Sequence, residues 1–157
     1  YSKPQDYVKG FKEGETTALN TKEFVFYGYY QRIRERLDRA WEATLKNKLD
    51  KLVSKIVRAR GKCERCGGTN CLQAAHIFSR KFMNTRFSLE NVLCLCASCH
   101  FWAHANPILF GEFVRKKLGK EKYELLKEAH NQIYKPTLDD LLIKLHILEG
   151  FDTTDEG

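Results

Sequence analysis

Four cysteines in two pairs have the spacing of a metal site. The C-x2-C pairs are Cys63/Cys66 and Cys96/Cys99, with 30 positions from Cys66 to Cys96. A tight turn lets both sulfurs of such a pair face one ion, and two pairs supply the four thiolates of a tetrahedral zinc site. We therefore predict that they bind one structural Zn²⁺, the alternative being four reduced thiols. A site closed in this way can hold the chain but cannot itself do chemistry.

The other two cysteines, Cys71 and Cys94, lie outside these pairs. Cysteine is among the residue types most often found buried, so we predict that both are core residues. All six cysteines lie within residues 63–99, and the sequence shows no secretion signal. This usage favours metal binding in a reducing, intracellular compartment over a disulfide framework.

Three histidines and an asparagine lie among the cysteines: His76, Asn91, His100 and His104. His100 and His104 are four residues apart in a predicted helix, so both imidazoles project from one face and can share a metal ion. His76 lies in a predicted strand that the zinc would join to this helix, so we expect it opposite the same face. Each residue alone has a plainer interpretation, as a hydrogen-bonded, turn or surface residue. Their joint spacing favours a site.

The surrounding elements follow from hydrophobic periodicity and from turn residues. An Asn106-Pro107 pair suits a helix start, and Thr137 with Asp140 resembles a capping box. His130 and His146 would lie on helix surfaces or in helix packing. We predict strands at 72–78 and 91–95, a short helix at 97–105, and helices at 107–119, 120–134 and 137–150.

One long basic helix is predicted over residues 23–60, with Gly61 as its stop. We expect its apolar stripe to pack on the domain and leave the basic face free. The aromatic cluster that begins this helix is also interpreted as core. The stripe comprises Ile33, Leu37, Trp41, Leu45, Leu49, Leu52, Val53 and Ile56, and the cluster comprises Phe24, Phe26, Tyr27, Tyr29 and Tyr30.

Length, composition and charge limit the class of protein. A chain of 157 residues that is 43% hydrophobic can build one domain, and no apolar run is long enough to span a membrane. Residues 31–62 hold 11 basic and 4 acidic residues, which accounts for the whole net charge of +7. A concentrated basic segment favours a nucleic-acid partner, and a solvated helix face is the alternative.

The run from Cys63 to His104 resembles the zinc-stapled HNH endonucleases of the ββα-metal superfamily, over about residues 62–106. The resemblance implies a small zinc-stapled ββα-metal core. Together with the helices predicted from periodicity, this gives an α+β, mostly α fold, in which the core has a long basic N-terminal helix and three C-terminal helices. The predicted segments are a 1–22 arm, a 23–61 basic helix, a 62–106 core, 107–150 C-terminal helices and a 151–157 acidic tail.

The resemblance also implies a role for each matching residue. His76 would be the general base, and Asn91 would brace the loop that carries it. His100 and His104 would hold a catalytic divalent ion, Mg²⁺ or Mn²⁺, with Zn²⁺ as a further option. DNA would be cut to a 5′-phosphate and a 3′-hydroxyl. The bases expected to grip its phosphates are Arg58, Arg60, Arg80, Lys81 and Arg86.

One position departs from the family pattern. Many HNH nucleases have Asp or His just before the base, as another metal ligand, and this chain has Ala75. The alternative function is therefore a catalytically impaired, zinc-containing nucleic-acid-binding module. A protein-interaction domain with an acidic partner is a third hypothesis.

A weaker resemblance over residues 110–149 is to phage recombination nucleases of the NinG (Rap) type. It implies branched DNA as substrate and a bacterial or phage-infected cell as the setting. Because the apolar stripe of the long helix is continuous, a homodimer is a further hypothesis.

Overall fold

The computed structural model describes the backbone of residues 18–153 and the side chains of residues 26–151. The predicted 1–22 arm therefore falls largely outside the described residues, as do the side chain of Phe24 and most of the 151–157 tail. The elements are α1 Ala18–Ala59, β1 Leu72–His76, α2 Met83–Arg86, a 3-10 turn Leu89–Asn91, β2 Val92–Cys96, α3 Ala97–Ala105, α4 Pro107–Leu118, α5 Lys120–Asn131 and α6 Leu138–Thr153.

The predicted long helix is present as α1, a 42-residue helix that begins at Ala18 rather than at residue 23. It contains no proline, and its many Leu, Lys, Arg and Glu residues are good helix formers. It ends where predicted, because Gly61 adopts φ +74 and its amide donates to the carbonyl of Arg58. A glycine with positive φ just beyond the last turn is a common helix stop.

The stripe along α1 is buried only in its C-terminal half. Leu45, Leu49 and Val53 are buried in the core. Ile33, Leu37 and Trp41 are exposed, so the prediction that the whole stripe packs on the domain is wrong for them. The chain falls into two compact units, Tyr1–Arg39 and Ala40–Gly157. The interpretation of the aromatic cluster as core is also wrong where its side chains are described, because these are exposed: Phe26, Tyr27, Tyr29 and Tyr30.

The two predicted strands form an antiparallel hairpin in which Leu72 pairs with Cys96 and His76 with Val92. The first strand ends at His76, two residues earlier than predicted. The second begins one residue late, because Asn91 closes a 3-10 turn. Helix α3 follows β2 directly, over the predicted residues. This completes the predicted ββα unit.

Both faces of β2 are buried, because alternate residues enter different clusters. Val92 and Cys94 pack with the buried stripe of α1 and with Leu141 and Leu148 of α6. Leu93 and Leu95 face the second cluster, whose other buried members are Cys63, Ala75, Cys99, Ala103 and Val114. The hairpin therefore lies between α1 and α6 on one side and α3 and α4 on the other.

The outcome differs for the two unpaired cysteines. Cys94 is fully buried, as predicted. Cys71 is exposed, so the prediction of a core residue is wrong. It occupies the turn before β1 with φ +50, and the carbonyl of this residue accepts from the amide of Ala97. Cys71 therefore contributes a backbone turn before β1 and a main-chain hydrogen bond to α3.

The three predicted C-terminal helices are α4, α5 and α6. The predicted capping box is present, since the amide of Thr137 donates to Asp140 and the amide of Asp140 donates back to Thr137. Helix α5 ends at Asn131 rather than at Tyr134, and α6 continues past Gly150 to Thr153. Within residues 18–153, no helix is both long and apolar enough to cross a membrane.

The contrast along α1 gives a stability prediction. Replacing the fully buried Leu49 with Ala removes methyl groups from the first cluster, so the free energy of unfolding should fall by about 2–5 kcal/mol. Leu37→Ala, at an exposed position of the same helix, is the control and should change it by about 0.5 kcal/mol or less. Urea denaturation of the zinc-loaded protein measures both, and equal decreases would contradict the packing described.

Candidate active site and metal centre

The four paired cysteines converge on one point, with their sulfur atoms all within 4.8 Å of one another. The Sγ atoms of Cys66 and Cys96 are 3.7 Å apart. Four sulfurs at about 2.3 Å from one zinc ion in a tetrahedron would lie about 3.8 Å apart. The donor set and its dimensions therefore fit zinc. The cluster connects the segment that precedes β1 to the junction of β2 and α3.

A tight turn shapes the first cysteine pair. The amide of Gly67, a residue with φ +78, donates to the carbonyl of Cys63, and the amide of Cys63 donates to the carbonyl of Gly68. Burial opposes ionisation of Cys63, but hydrogen bonds from the backbone of Cys66, Cys96 and Arg65 lower the pKa of its thiol to about 6. The turn thus directs amides at a sulfur, as a thiolate ligand requires.

Burial raises the pKa of the Cys99 thiol to about 12, so zinc binding at this sulfur would have to release a proton. A guanidinium lies against it, since Arg65 Nη1 donates to Cys99 Sγ over 3.4 Å. The same guanidinium is 3.7 Å from the ring centre of Trp102. Arg65 therefore places a positive charge beside a sulfur cluster that becomes anionic when it holds zinc.

The imidazoles of His100 and His104 form a second donor pair, one turn apart on α3. Their Nε2 atoms are 3.1 Å apart, and two nitrogens at about 2.1 Å from one ion would then subtend an angle of about 95°. The Nδ1–H of His100 donates to the Gln73 side-chain oxygen over 2.7 Å, which leaves Nε2 with its lone pair for a metal. Burial, and then the nearby His104, lowers the pKa of His100 and favours the neutral ligand form.

His76 is the last residue of β1. Its Nε2–H donates to the carbonyl of Arg86 over 3.1 Å, so Nδ1 is the nitrogen with a free lone pair. Burial lowers the pKa of His76, and the charge of Arg80 lowers it further, although the hydrogen bond to Arg86 acts in the opposite direction. The imidazole is therefore neutral at pH 7 and able to accept a proton.

Asn91 joins both ends of the loop that follows His76. Its side-chain oxygen accepts from the amide of Phe78, and its amide group donates to the carbonyls of Phe78 and Thr85. The side chain is fully buried and has a partner for its oxygen and for its amide group. These contacts are the ones that a brace for this loop needs.

The three histidines face a common cleft of about 650 Å³. Ala75 reaches it as well but is 1% exposed, with its side chain packed in the second cluster, and it has no donor atom. Among the described residues that line the cleft, Asp50 of α1 is the one acid. Sequence reasoning missed Asp50 and Gln73, because no spacing links either residue to the motif. The polar or charged residues of the cleft are Asp50, Ser54, His76, Ser79, Arg80, His100, His104 and Tyr123.

The predicted DNA-contact residues fall into two groups. Arg58, Arg80 and Lys81 are exposed, and Arg58 donates to Ser54 at the cleft. Arg60 is exposed as well, but it donates to Glu64 and to the carbonyls of Leu89 and Val92. The guanidinium of Arg86 is bound by Asp50. The last two bases therefore hold the fold together, whatever they do toward DNA.

His130 and His146 lie outside the cleft. His146 is exposed on α6. The imidazole of His130 stacks on Phe78, with ring centres 4.6 Å apart, and contacts Phe82. Both agree with the prediction of helix-surface or packing residues: His146 lies on a helix surface, and His130 packs on two aromatic rings of the loop after β1.

The described residues thus form a ββα unit joined by four cysteines, with histidines on a strand and on a helix that face one cleft. Residues 61–105 match the family model of the HNH endonucleases, and they form the HNH endonuclease domain of this chain. No curated protein and no solved structure matched the chain. The comparisons thus give no support for the resemblance to NinG (Rap) nucleases.

The sulfur geometry predicts one zinc ion bound by the four paired cysteines. Cys99→Ser should abolish stoichiometric zinc binding and lower the melting temperature, because a buried ligand is removed. Cys71→Ser, at the exposed cysteine outside the cluster, is the matched control and should keep both. Metal analysis and thermal denaturation measure the pair, and zinc retained at the wild-type level in Cys99→Ser would contradict the assignment.

Proposed function

We propose that this chain is a metal-dependent DNA endonuclease that hydrolyses phosphodiester bonds to a 5′-phosphate and a 3′-hydroxyl. One observation carries the proposal: two imidazoles that converge on a metal-sized point share a cleft with a third, whose Nδ1 is free. Activation of a water beside a bound phosphate requires nitrogens that hold a metal ion and a separate nitrogen that can accept a proton. The HNH family match supports nuclease activity, and DNA as the substrate is part of the proposal.

His76 would act as the general base. Its Nδ1 accepts a proton from the attacking water, while its Nε2–H stays on the Arg86 carbonyl and fixes the ring. Asn91 holds Phe78 and Thr85, and with them the loop between β1 and β2. Burial helps here, since the neutral form of His76 is the active one.

His100 and His104 would hold the divalent ion, and Gln73 would orient His100. When bound, the ion neutralises the scissile phosphate and the charge that develops on the departing 3′ oxygen. Mg²⁺ and Mn²⁺ are the proposed ions, and Zn²⁺ is a further option because imidazole nitrogen also suits softer metals. The cysteine cluster would hold a separate, structural zinc ion.

A catalytically impaired nucleic-acid-binding module is the second candidate. The specific observation in its favour is Ala75, which leaves the proposed ion with two nitrogen donors from the HNH segment. Such a module would bind DNA through the same basic residues and would be indifferent to the removal of His76. Cleavage therefore separates the two functions.

His76→Ala should lower the cleavage rate by about 10²–10⁴-fold, because the general base is removed. DNA affinity should stay within about twofold, since phosphate contacts supply most of it. The assay uses supercoiled plasmid and a four-way junction, with Mg²⁺, Mn²⁺ or EDTA, which also tests the branched-DNA hypothesis. His146→Ala, at an exposed histidine of α6, is the control and should cut like the wild type. Metal-dependent cutting that survives in His76→Ala would contradict the proposed base, and no cutting by the wild type would favour the binding module.

The phosphate grip is proposed for two exposed bases, Arg80, which lines the cleft, and Lys81, the next residue in the chain. The double variant Arg80→Ala/Lys81→Ala should weaken DNA binding and reduce the slope of log affinity against log salt by about one for each phosphate that is no longer neutralised. The double variant Lys116→Ala/Lys127→Ala removes the same charge from exposed positions on α4 and α5. An equal reduction of the salt slope in both would indicate a general charge effect and contradict the grip.

A further inference from the structure

Arg86 makes two different contacts with its main chain and its side chain. Its carbonyl accepts the hydrogen bond from His76 Nε2 at 3.1 Å. Its guanidinium donates to both carboxylate oxygens of Asp50, from Nε over 3.2 Å and from Nη2 over 2.6 Å. The carbonyl that orients the proposed base therefore belongs to a residue whose side chain is held from another helix.

Asp50 is well placed to hold the Arg86 side chain. It lies on α1, next to Leu49 and three residues before Val53, and both of these are buried in the first cluster. The side chains of Asp50 and Arg86 are only 19% and 22% exposed, so solvent competes little for the pair. A two-point contact between a guanidinium and a carboxylate also fixes direction, which a single contact does not.

The segment that carries Arg86 depends on such outside contacts. Helix α2 is four residues long, and no side chain caps its first residue. Asn91 holds the carbonyl of Thr85, and the pair with Asp50 holds the next residue. Two independent contacts therefore fix consecutive residues beside His76.

We propose that Asp50 is a positioning residue: by binding Arg86 it fixes the carbonyl that turns the His76 imidazole with Nδ1 toward the cleft. This inference rests on the proposed role of His76 as general base. It gives α1, which lies outside the matched residues 61–105, a part in the site. Asp50 itself touches neither the reacting atoms nor the proposed metal ion.

Two other roles are open to the same residues, and the contacts argue against both. Asp50 could be the metal ligand that replaces the one missing at Ala75, but both of its oxygens already accept from Arg86. Arg86 could grip a phosphate, but its guanidinium is half-buried and paired. Breaking the pair would leave an uncompensated charge, which is costly at a partly buried position.

The pair also acts on His76 through its charges. Burial is the largest influence and lowers the pKa of His76, the Arg80 and Arg86 charges lower it, and the Asp50 charge raises it. Removal of the Asp50 charge should therefore lower the pKa of His76, and removal of the Arg86 charge should raise it. Because the neutral base is active, the acid limb of the pH–rate profile should move to lower pH in Asp50→Asn and to higher pH in Arg86→Met.

The test compares single variants with a charge swap. Asp50→Asn and Arg86→Met should each lower the single-turnover rate on saturating DNA by about 10–100-fold, as expected for a misoriented base. DNA affinity should stay within about twofold, because neither residue contacts a phosphate in this arrangement. The double variant Asp50→Arg/Arg86→Asp keeps an ion pair and the backbone carbonyl, so it should recover most of the rate.

The control is Glu149→Gln, which breaks the 2.7 Å pair between Lys48 of the same helix and α6. It should cut like the wild type. A swap that does not recover the rate would overturn the positioning role. Weaker DNA affinity with a smaller salt slope in Arg86→Met would favour the phosphate grip, and an abolished metal dependence in Asp50→Asn alone would favour the ligand role; either would also overturn it.

A spectroscopic readout keeps this inference separate from the proposed function. Nitrogen NMR of the zinc-loaded protein without DNA should show His76 protonated at Nε2 in the wild type, and a mixture of tautomers in Asp50→Asn. An unchanged His76 spectrum would overturn the positioning role even if His76 is the base. If His76→Ala cuts normally, the proposed base fails, while the spectrum still reports whether Asp50 orients the ring.

Discussion

The β1–β2 hairpin is the constraint on which the site depends, because it is too short to be stable alone. Each strand has five residues, and an isolated two-stranded hairpin is marginal in water. It is held at one end by the sulfur cluster and at the other by Asn91. Between these ends, Val92 and Leu93 enter cores on opposite faces of the sheet. These contacts together set the positions of His76 and α3 relative to each other.

The same packing sets the ionisation of the imidazoles. Burial is the largest cause of the lowered pKa at both His76 and His100. The packing that positions each ring therefore also favours its neutral form. The proposed function needs neutral imidazole for two different tasks, proton acceptance at His76 and metal ligation at His100. The two rings differ in the nitrogen that is hydrogen-bonded: His76 Nε2 donates to a main-chain carbonyl, and His100 Nδ1 donates to the Gln73 side chain.

Local patterns predicted the cysteine cluster and the shared face of His100 and His104 better than they predicted the surroundings. Cysteine pairs and the four-residue histidine spacing depend on one turn of chain, so the sulfur cluster and the shared face of α3 could be foreseen. The burial of α1 could not, because a stripe such as Leu37 to Leu49 records periodicity and not where the partner surface ends. Gln73 reaches His100 through the register of the hairpin, and Asp50 reaches Arg86 through the packing of α1. Neither contact can be predicted from residues close together in the sequence.

Ala75 then has a physical consequence for the proposed catalytic ion. Ala75 pairs with Leu93 in the hairpin, and its side chain is packed in the second cluster. A change of side-chain conformation at this position therefore cannot bring a ligand to the cleft. Two neutral nitrogen ligands do not offset the charge of a divalent ion, so its full charge would act on the bound water and phosphate oxygens. They also bind the free ion weakly, so occupancy would depend on the DNA phosphate that completes the coordination. Asp50 could strengthen that affinity only by leaving Arg86, and the carbonyl that orients the base would then no longer be fixed. On the proposed function, ligation of the ion and orientation of the proposed base would therefore compete for the Asp50 carboxylate, which in this structure is bound to Arg86.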